Sequence, residues 1–161
     1  MHERISKILD SLGVAYTLRL HADLGEIRTP NDFAKALGYD LARITKTLLM
    51  QASGEERFFL VVSPMNGRVD LKKLAEIVGA RRLQMASKEV LSDHLGYPPT
   101  GVSPLGSQGI PVFMDSSLLA HKTILIGAGV AGQEIEIEPH LVKELTSATL
   151  IELATHTEAP H

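Results

Sequence analysis

Lys46 lies in the stretch ARITKTLLMQ, residues 42–51, which otherwise reads as an apolar β-strand. Side chains alternate faces along a strand, so Lys46 shares a face with Ile44, Leu48 and Met50, while Thr45, Thr47 and Leu49 share the other. An amine among apolar neighbours has two readings. Its stem can cover apolar surface while the charge snorkels to water. Alternatively, it sits at a pocket floor to hold an anion, or acts with a depressed pKa as a base or Schiff-base former. Periodicity alone leaves both open.

Other stretches carry chemical motifs that fail on context. GVSPLG, residues 101–106, has a serine between glycines but places Leu105 where a nucleophile elbow needs a small residue. Pro104 follows Ser103 where the elbow's helix would begin, and no Asp/His pair is marked. The loop's backbone is the better functional candidate, because a Gly/Pro-rich segment can aim successive N–H groups at a carbonyl or oxyanion, and a plain surface turn is the equal alternative. GAGVAG, residues 127–132, matches G-x-G-x-x-G, yet QEIEIE follows it, a strand pattern where a dinucleotide site needs a helix N-terminus. It reads as a glycine-rich hairpin connection. The seven histidines are scattered without ligand spacing, and cysteine is absent, so the sequence marks no metal site, no disulfide and no thiol nucleophile. His21 follows a strand and reads either as polar lining or, more simply, as a strand-end residue. ARRLQ and DLKKL add local positive charge of the kind found on solvated faces or at the edge of a phosphate-binding surface.

The elements that must position these residues are well punctuated. With 161 residues the chain has enough length for one domain with a core. Its 44% hydrophobic and 22% charged composition is that of a soluble globular protein. A net charge of −3 excludes a generally basic nucleic-acid binder and restricts any polyanion contact to a local patch. The absence of tryptophan argues against a base-stacking platform. No apolar run reaches membrane-spanning length and MHERISKILD lacks a signal-peptide core, so a cytoplasmic protein with no membrane partner is expected.

Helices are expected at ERISKILDSL, at PNDFAKAL with Thr29 as N-cap, at LKKLAEIV with Asp70 as cap, at KEVLSDHL with Ser87 as cap, and at PHLVKELTS. Strands are expected at AYTLRLH, ITKTLLMQA, RFFLVVSP, RRLQMA, IPVFMD, KTILIG and QEIEIEP, the last with Ile135 and Ile137 inward and its glutamates outward. ITKTLLMQA and RFFLVVSP pair through SGEE. ATLIELA is a short closing element. YPPTGVSPLGSQG, residues 97–109, is a loop of a length that favours function. Strands in adjacent runs point to an α+β, mixed α/β domain over a doubly wound sheet.

ITKTLLM, VDLKKLAEIVGARRLQMAS and GYPPTGVSPLG followed by PVFMD, in that order and spacing, resemble the YbaK / prolyl-tRNA synthetase-associated domain family of aminoacyl-tRNA editing domains. The similarity runs from about Tyr16 to Leu150. THTEAPH, residues 155–161, reads by itself as a frayed tail, and the resemblance implies a single domain over residues 1–154, with a curved mixed sheet of about six to seven strands flanked by helices. It implies a free-standing deacylase, with no cofactor and no metal. Such an enzyme hydrolyses the ester between a small wrong amino acid and the 3′-terminal adenosine of a tRNA, most simply proline tRNA. The partners implied are the acceptor end of mischarged tRNA and a prolyl-tRNA or other synthetase.

By the same resemblance, Lys46 falls on the family's lysine and contacts the terminal phosphate or adenosine, while Gly101 to Pro104 form the loop that binds the carbonyl and oxyanion through backbone N–H groups. Catalysis then rests on Lys46 and Gly101, with Thr47, Val102, Ser103, Pro104 and Asp115 on the substrate side, and a water assisted by the ribose 2′-hydroxyl attacks. Thr100 departs from the family's usual first loop glycine, a position that narrows the pocket or reshapes the loop. The alternatives are a non-catalytic binding module of the same fold and an esterase dependent on Ser103.

Overall fold

The computed structural model describes residues 1–152 and 154–156. Its helices are α1 (Glu3–Leu12), α2 (Pro30–Leu37), α3 (Leu71–Val78), α4 (Lys88–Leu95) and α5 (Pro139–Thr146). Its strands are β1 (Thr17–Leu20), β2 (Thr45–Ala52), β3 (Phe58–Pro64), β4 (Gly67–Val69), β5 (Leu83–Met85), β6 (Val112–Asp115), β7 (Ile124–Gly127), β8 (Gln133–Ile137), β9 (Thr149–Ile151) and β10 (Ala154–His156). Helix starts follow local chemistry. The Thr29 side chain accepts from Asp32 N–H while the Asp32 carboxylate accepts from Thr29 N–H, a full capping box ahead of Pro30. Asp70 and Ser87 cap α3 and α4 in the same sense.

The fold class is mixed α+β, with the strands divided among three sheets. The largest has the order β5-β2-β3-β6-β9, in which β2 is antiparallel to β3 and β5, and β6 is parallel to β3 and β9. A three-stranded antiparallel sheet, β1-β8-β7, stands beside it. The two meet where Ile44 bridges Leu125 and Thr45 Oγ1 donates to Leu125 O at 2.7 Å. The expected single sheet is thus divided, because only an isolated bridge at Ile44, just before β2, joins the large sheet to β7. β4 and β10 form a separate two-stranded ribbon. β10 includes Thr155 and His156, the first residues of the expected tail, and residues 157–161 lie outside the described residues.

Alternation sorts the side chains into three clusters. Leu49, Leu60, Val62, Val112 and Met114 face the main core, where they meet Ile5 and Leu9 of α1, Leu91 and Leu95 of α4, and Ile124, Ile126, Ile135 and Ile137 of the second sheet. The opposite face of the large sheet gives Met50, Phe59, Val61 and Phe113 to a cluster closed by Leu74 and Ala75 of α3. α2 lies on the outer face of the second sheet, with Phe33 and Ala34 against Ile44 and Leu125.

Both faces of β2 are therefore covered, and Lys46 stands on the α3 side. α2 also corrects the expectation for β8: Glu134 and Glu136 face Leu125's side of the sheet, under protein and not outward to solvent. GAGVAG joins β7 to β8 as a hairpin connection. A Cβ on Gly127 would collide with the Val102 carbonyl, and one on Gly129 would meet Tyr97 Cε1 at 2.9 Å, so these glycines admit close packing of neighbouring backbone and rings.

Candidate functional site

β5 pairs with β2 only at Met50–Ala52, so among the described residues the β2 edge from Thr45 to Leu48 carries no strand. A cavity of about 370 Å³ opens along this edge, within the size range of small-molecule sites. Its other walls are the start of α2 with Thr29, Pro30 and Phe33, the loop residues Pro99, Thr100 and Val102, and Gly127 and Glu134 of the second sheet, with His21 and Met65. Lys46 and Thr47 both line it, although they leave opposite faces of β2, because the cavity follows the strand's edge.

Lys46 Nζ donates to Gly67 O of β4 at 2.6 Å. Burial, with the nearby Arg68 charge, lowers its pKa from the usual lysine value. An ammonium has three donors, so two remain for a ligand. Ser63, directly opposite on β3, is fully buried.

The second sheet and the turn after β1 supply further polar groups: Glu134, which the sequence did not single out, and His21, for which it left polar lining open. His21 follows β1, packs against the Phe33 ring at 4.7 Å between centroids, and has its pKa lowered by burial. Its Nε2 lies 3.7 Å from Glu134 Oε1, too far for a hydrogen bond. Burial pushes the Glu134 carboxyl up to about 7. His21 Nε2, Thr47 Oγ1 and Glu134 Oε2 are buried and have no hydrogen-bond partner among the described residues. Leaving such an atom unpaired costs about 1–3 kcal/mol, and all belong to residues lining this one cavity.

Two residues along β8, Glu136 is satisfied. It accepts from Tyr39 Oη at 2.7 Å, Thr123 Oγ1 at 2.8 Å and Arg19 Nε at 3.0 Å. Burial alone would raise its pKa, but these hydrogen bonds and the Arg19 charge outweigh it and hold the carboxyl below the usual range. Only alternation was available from the sequence for this strand. The signal that would have found Glu134 is its pairing opposite Gly127, a residue without a side chain to cover the acid.

A model of the "Aminoacyl-tRNA editing domain" matches residues 25–145 of this sequence. The span includes all the cavity segments except His21. The chain belongs to the aminoacyl-tRNA editing domain family. It is 31% identical over 123 residues to the Enterococcus faecalis protein named "Putative Cys-tRNA(Pro)/Cys-tRNA(Cys) deacylase EbsC", covering 76% of this chain and 74% of that one. It is 26% identical to the "Prolyl-tRNA editing protein ProX" of Acetoanaerobium sticklandii, with 73% of each chain covered. A match to the proline–tRNA ligase of Thermosipho melanesiensis, at 28% identity, covers 63% of this chain and 18% of the ligase. A crystal structure described as "a putative trans-editing enzyme for prolyl tRNA synthetase" shares the fold, with a TM-score of 0.79 at 22% identity over 96% of this chain and 99% of that one.

In this editing domain the residues expected from sequence separate into two groups. Lys46, Thr47 and Val102 line the cavity, and Gly101 lies beside it in the same loop. Gly101 is buried, its N–H donates to Pro98 O at 3.0 Å, and its O accepts from Gly129 N–H at 2.8 Å. The N–H expected to face substrate is thus used inside the loop. A Cβ on Gly101 would lie 2.6 Å from the Val130 carbonyl, which fixes glycine there by packing.

Ser103, Pro104 and Asp115 do not line the cavity. Ser103 is fully buried and its Oγ accepts from Leu105 N–H, a local turn that leaves no exposed nucleophile. Pro104 is buried beside it. Asp115 is buried at the end of β6, where Oδ1 accepts from Ser117 N–H and caps the following 3₁₀ turn. Thr100 lines the cavity without a positive φ, so the loop holds it without backbone strain. Among the described residues no helix is long and apolar enough to cross a membrane, and no His/Cys/Asp/Glu group is placed to hold a metal ion.

Proposed function

We propose that this editing domain hydrolyses the ester that joins a wrong, small amino acid to the 3′-terminal adenosine of a tRNA, with proline tRNA as substrate. The observation that carries this reading is the cavity on the free edge of β2, which has a lysine amine with two unused donors beside a Gly/Pro loop. In this reading Lys46 holds the terminal phosphate. The backbone N–H groups of Thr100 and Val102, which make no hydrogen bond among the described residues, are the donors for the developing oxyanion. A water positioned by the ribose 2′-hydroxyl attacks the carbonyl carbon. The ester C–O bond breaks, and the departing 3′-oxygen takes a proton, leaving a free amino acid and an intact tRNA. The names of the E. faecalis and A. sticklandii relatives support tRNA deacylation, and the ligase match supports a synthetase as working partner.

A panel of misacylated tRNAs tests the reading and identifies the amino acid. Release of one small amino acid is expected, and binding without hydrolysis of any would favour a non-catalytic module. Lys46→Ala is expected to lower the rate on the order of 10²-fold, because loss of a positioning contact misplaces the ester, while the fold persists. An unchanged rate would remove Lys46 from the mechanism. A fluorophosphonate probe is expected to leave the buried Ser103 unlabelled; labelling would restore the esterase alternative.

A further inference from the structure

In the deacylase reading Lys46 and the 99–102 loop answer the phosphate and the carbonyl of the ester, and three other polar atoms of the lining remain. His21 Nε2, Thr47 Oγ1 and Glu134 Oε2 are buried, unpartnered among the described residues, and contributed by residues of one lining. The same lining carries the cations Lys46 and Arg28, of which Arg28 is ion-paired with Glu26. Glu134 is thus the acid of a cavity whose remaining charge is positive.

We propose that Glu134 receives the α-ammonium group of the bound aminoacyl ester, so that this site selects its ligand by a free amine as well as by side-chain size. The inference rests on the deacylase reading and adds to it the group that recognises the amino acid's invariant end. A primary ammonium has three N–H donors and one positive charge. Among the described residues, Glu134 Oε2 and Thr47 Oγ1 are unpartnered acceptors in this lining, and His21 Nε2, also unpartnered, lies 3.7 Å from Glu134 Oε1. A substrate hydroxyl would use at most part of this set and would leave the acid's charge unanswered. The cation also suits the acid's state: burial keeps the free carboxyl partly protonated near neutrality, and an arriving ammonium favours the ionised form. Burial lowers the His21 pKa and so disfavours its competing as a cation.

The test uses two non-hydrolysable ligands, 3′-alanylamino-3′-deoxyadenosine 5′-phosphate and its propionyl counterpart, which lacks only the amino group. Their affinities are measured by calorimetry on the full chain and on Glu134→Gln. The wild type is expected to prefer the alanyl ligand by roughly tenfold or more, the scale of one charge-assisted hydrogen bond. In Glu134→Gln the two are expected to bind within about threefold of each other. Equal binding by the wild type overturns the inference without any variant and leaves the deacylase reading standing. A preference that survives in Glu134→Gln also overturns it, since the ammonium is then held elsewhere. Binding of neither ligand by the wild type overturns the inference and the deacylase reading together.

Discussion

Glu134 and Glu136 stand two residues apart on β8 and face the same way, yet their surroundings drive their carboxyls in opposite directions. Glu134 is pushed up to about 7 by burial, so its contribution to stability is full below the unfolded carboxylate value and is lost as pH rises to about 7. Glu136, held low by Tyr39, Thr123 and Arg19, contributes above the unfolded value and loses that contribution as pH falls. Glu134→Gln is therefore expected to gain on the wild type between pH 5 and pH 8, by as much as ~3 kcal/mol, read from urea unfolding at both values. A constant difference between the two proteins would mean that Glu134 is ionised throughout. The sequence could expose Lys46, because one amine in an apolar alternation is a local anomaly. It could not expose Glu134, because alternation assigns a face but does not say that α2 will cover it. For His21 the sequence left polar lining and a plain strand end both open, because its environment is made by Phe33, from another element.

The elements whose signals are local were legible almost to the residue. Thr29, Asp70 and Ser87 cap their helices as their types require, since a side chain and an N–H three residues on decide the matter. The capping box also fixes the end of α2 that walls the cavity. Thr29→Ala is expected to destabilise the protein by about 1 kcal/mol in thermal unfolding and to weaken ligand binding as the helix start frays. Gly127→Ala tests the packing of β7 against the 99–102 loop. Its methyl group meets the Val102 carbonyl, so the loop must move, and deacylation is expected to fall more steeply than stability. An unchanged rate would show that the loop's position does not govern the reaction. β4 and β10 were not legible, because strands of three residues have no period to read and exist here through their mutual pairing.

Across the whole molecule, the site depends on contacts far apart in the chain. β10 pairs with β4, and β4 presents the Gly67 carbonyl that takes the Lys46 amine. Ending the chain at Glu152 is expected to speed amide exchange over Gly67–Val69 and to lower deacylation, with a stability loss on the order of 1 kcal/mol. Protection that stays unchanged would separate β10 from the site. The class of fold followed from the order of the elements, while the division into two sheets did not, since a single bridge at Ile44 and Leu125 decides it. The cavity's walls also differ in how freely descent can alter them. Thr100 is exposed and unstrained, and Ile27 and Met65 offer side chains that can be exchanged for others, whereas Gly127 has backbone pressed against it. Lineages that adapt this protein to another amino acid are expected to diverge at residues 27, 65 and 100 and to inherit the glycine at 127 unchanged, a pattern that sequencing of variants selected in the laboratory would reveal.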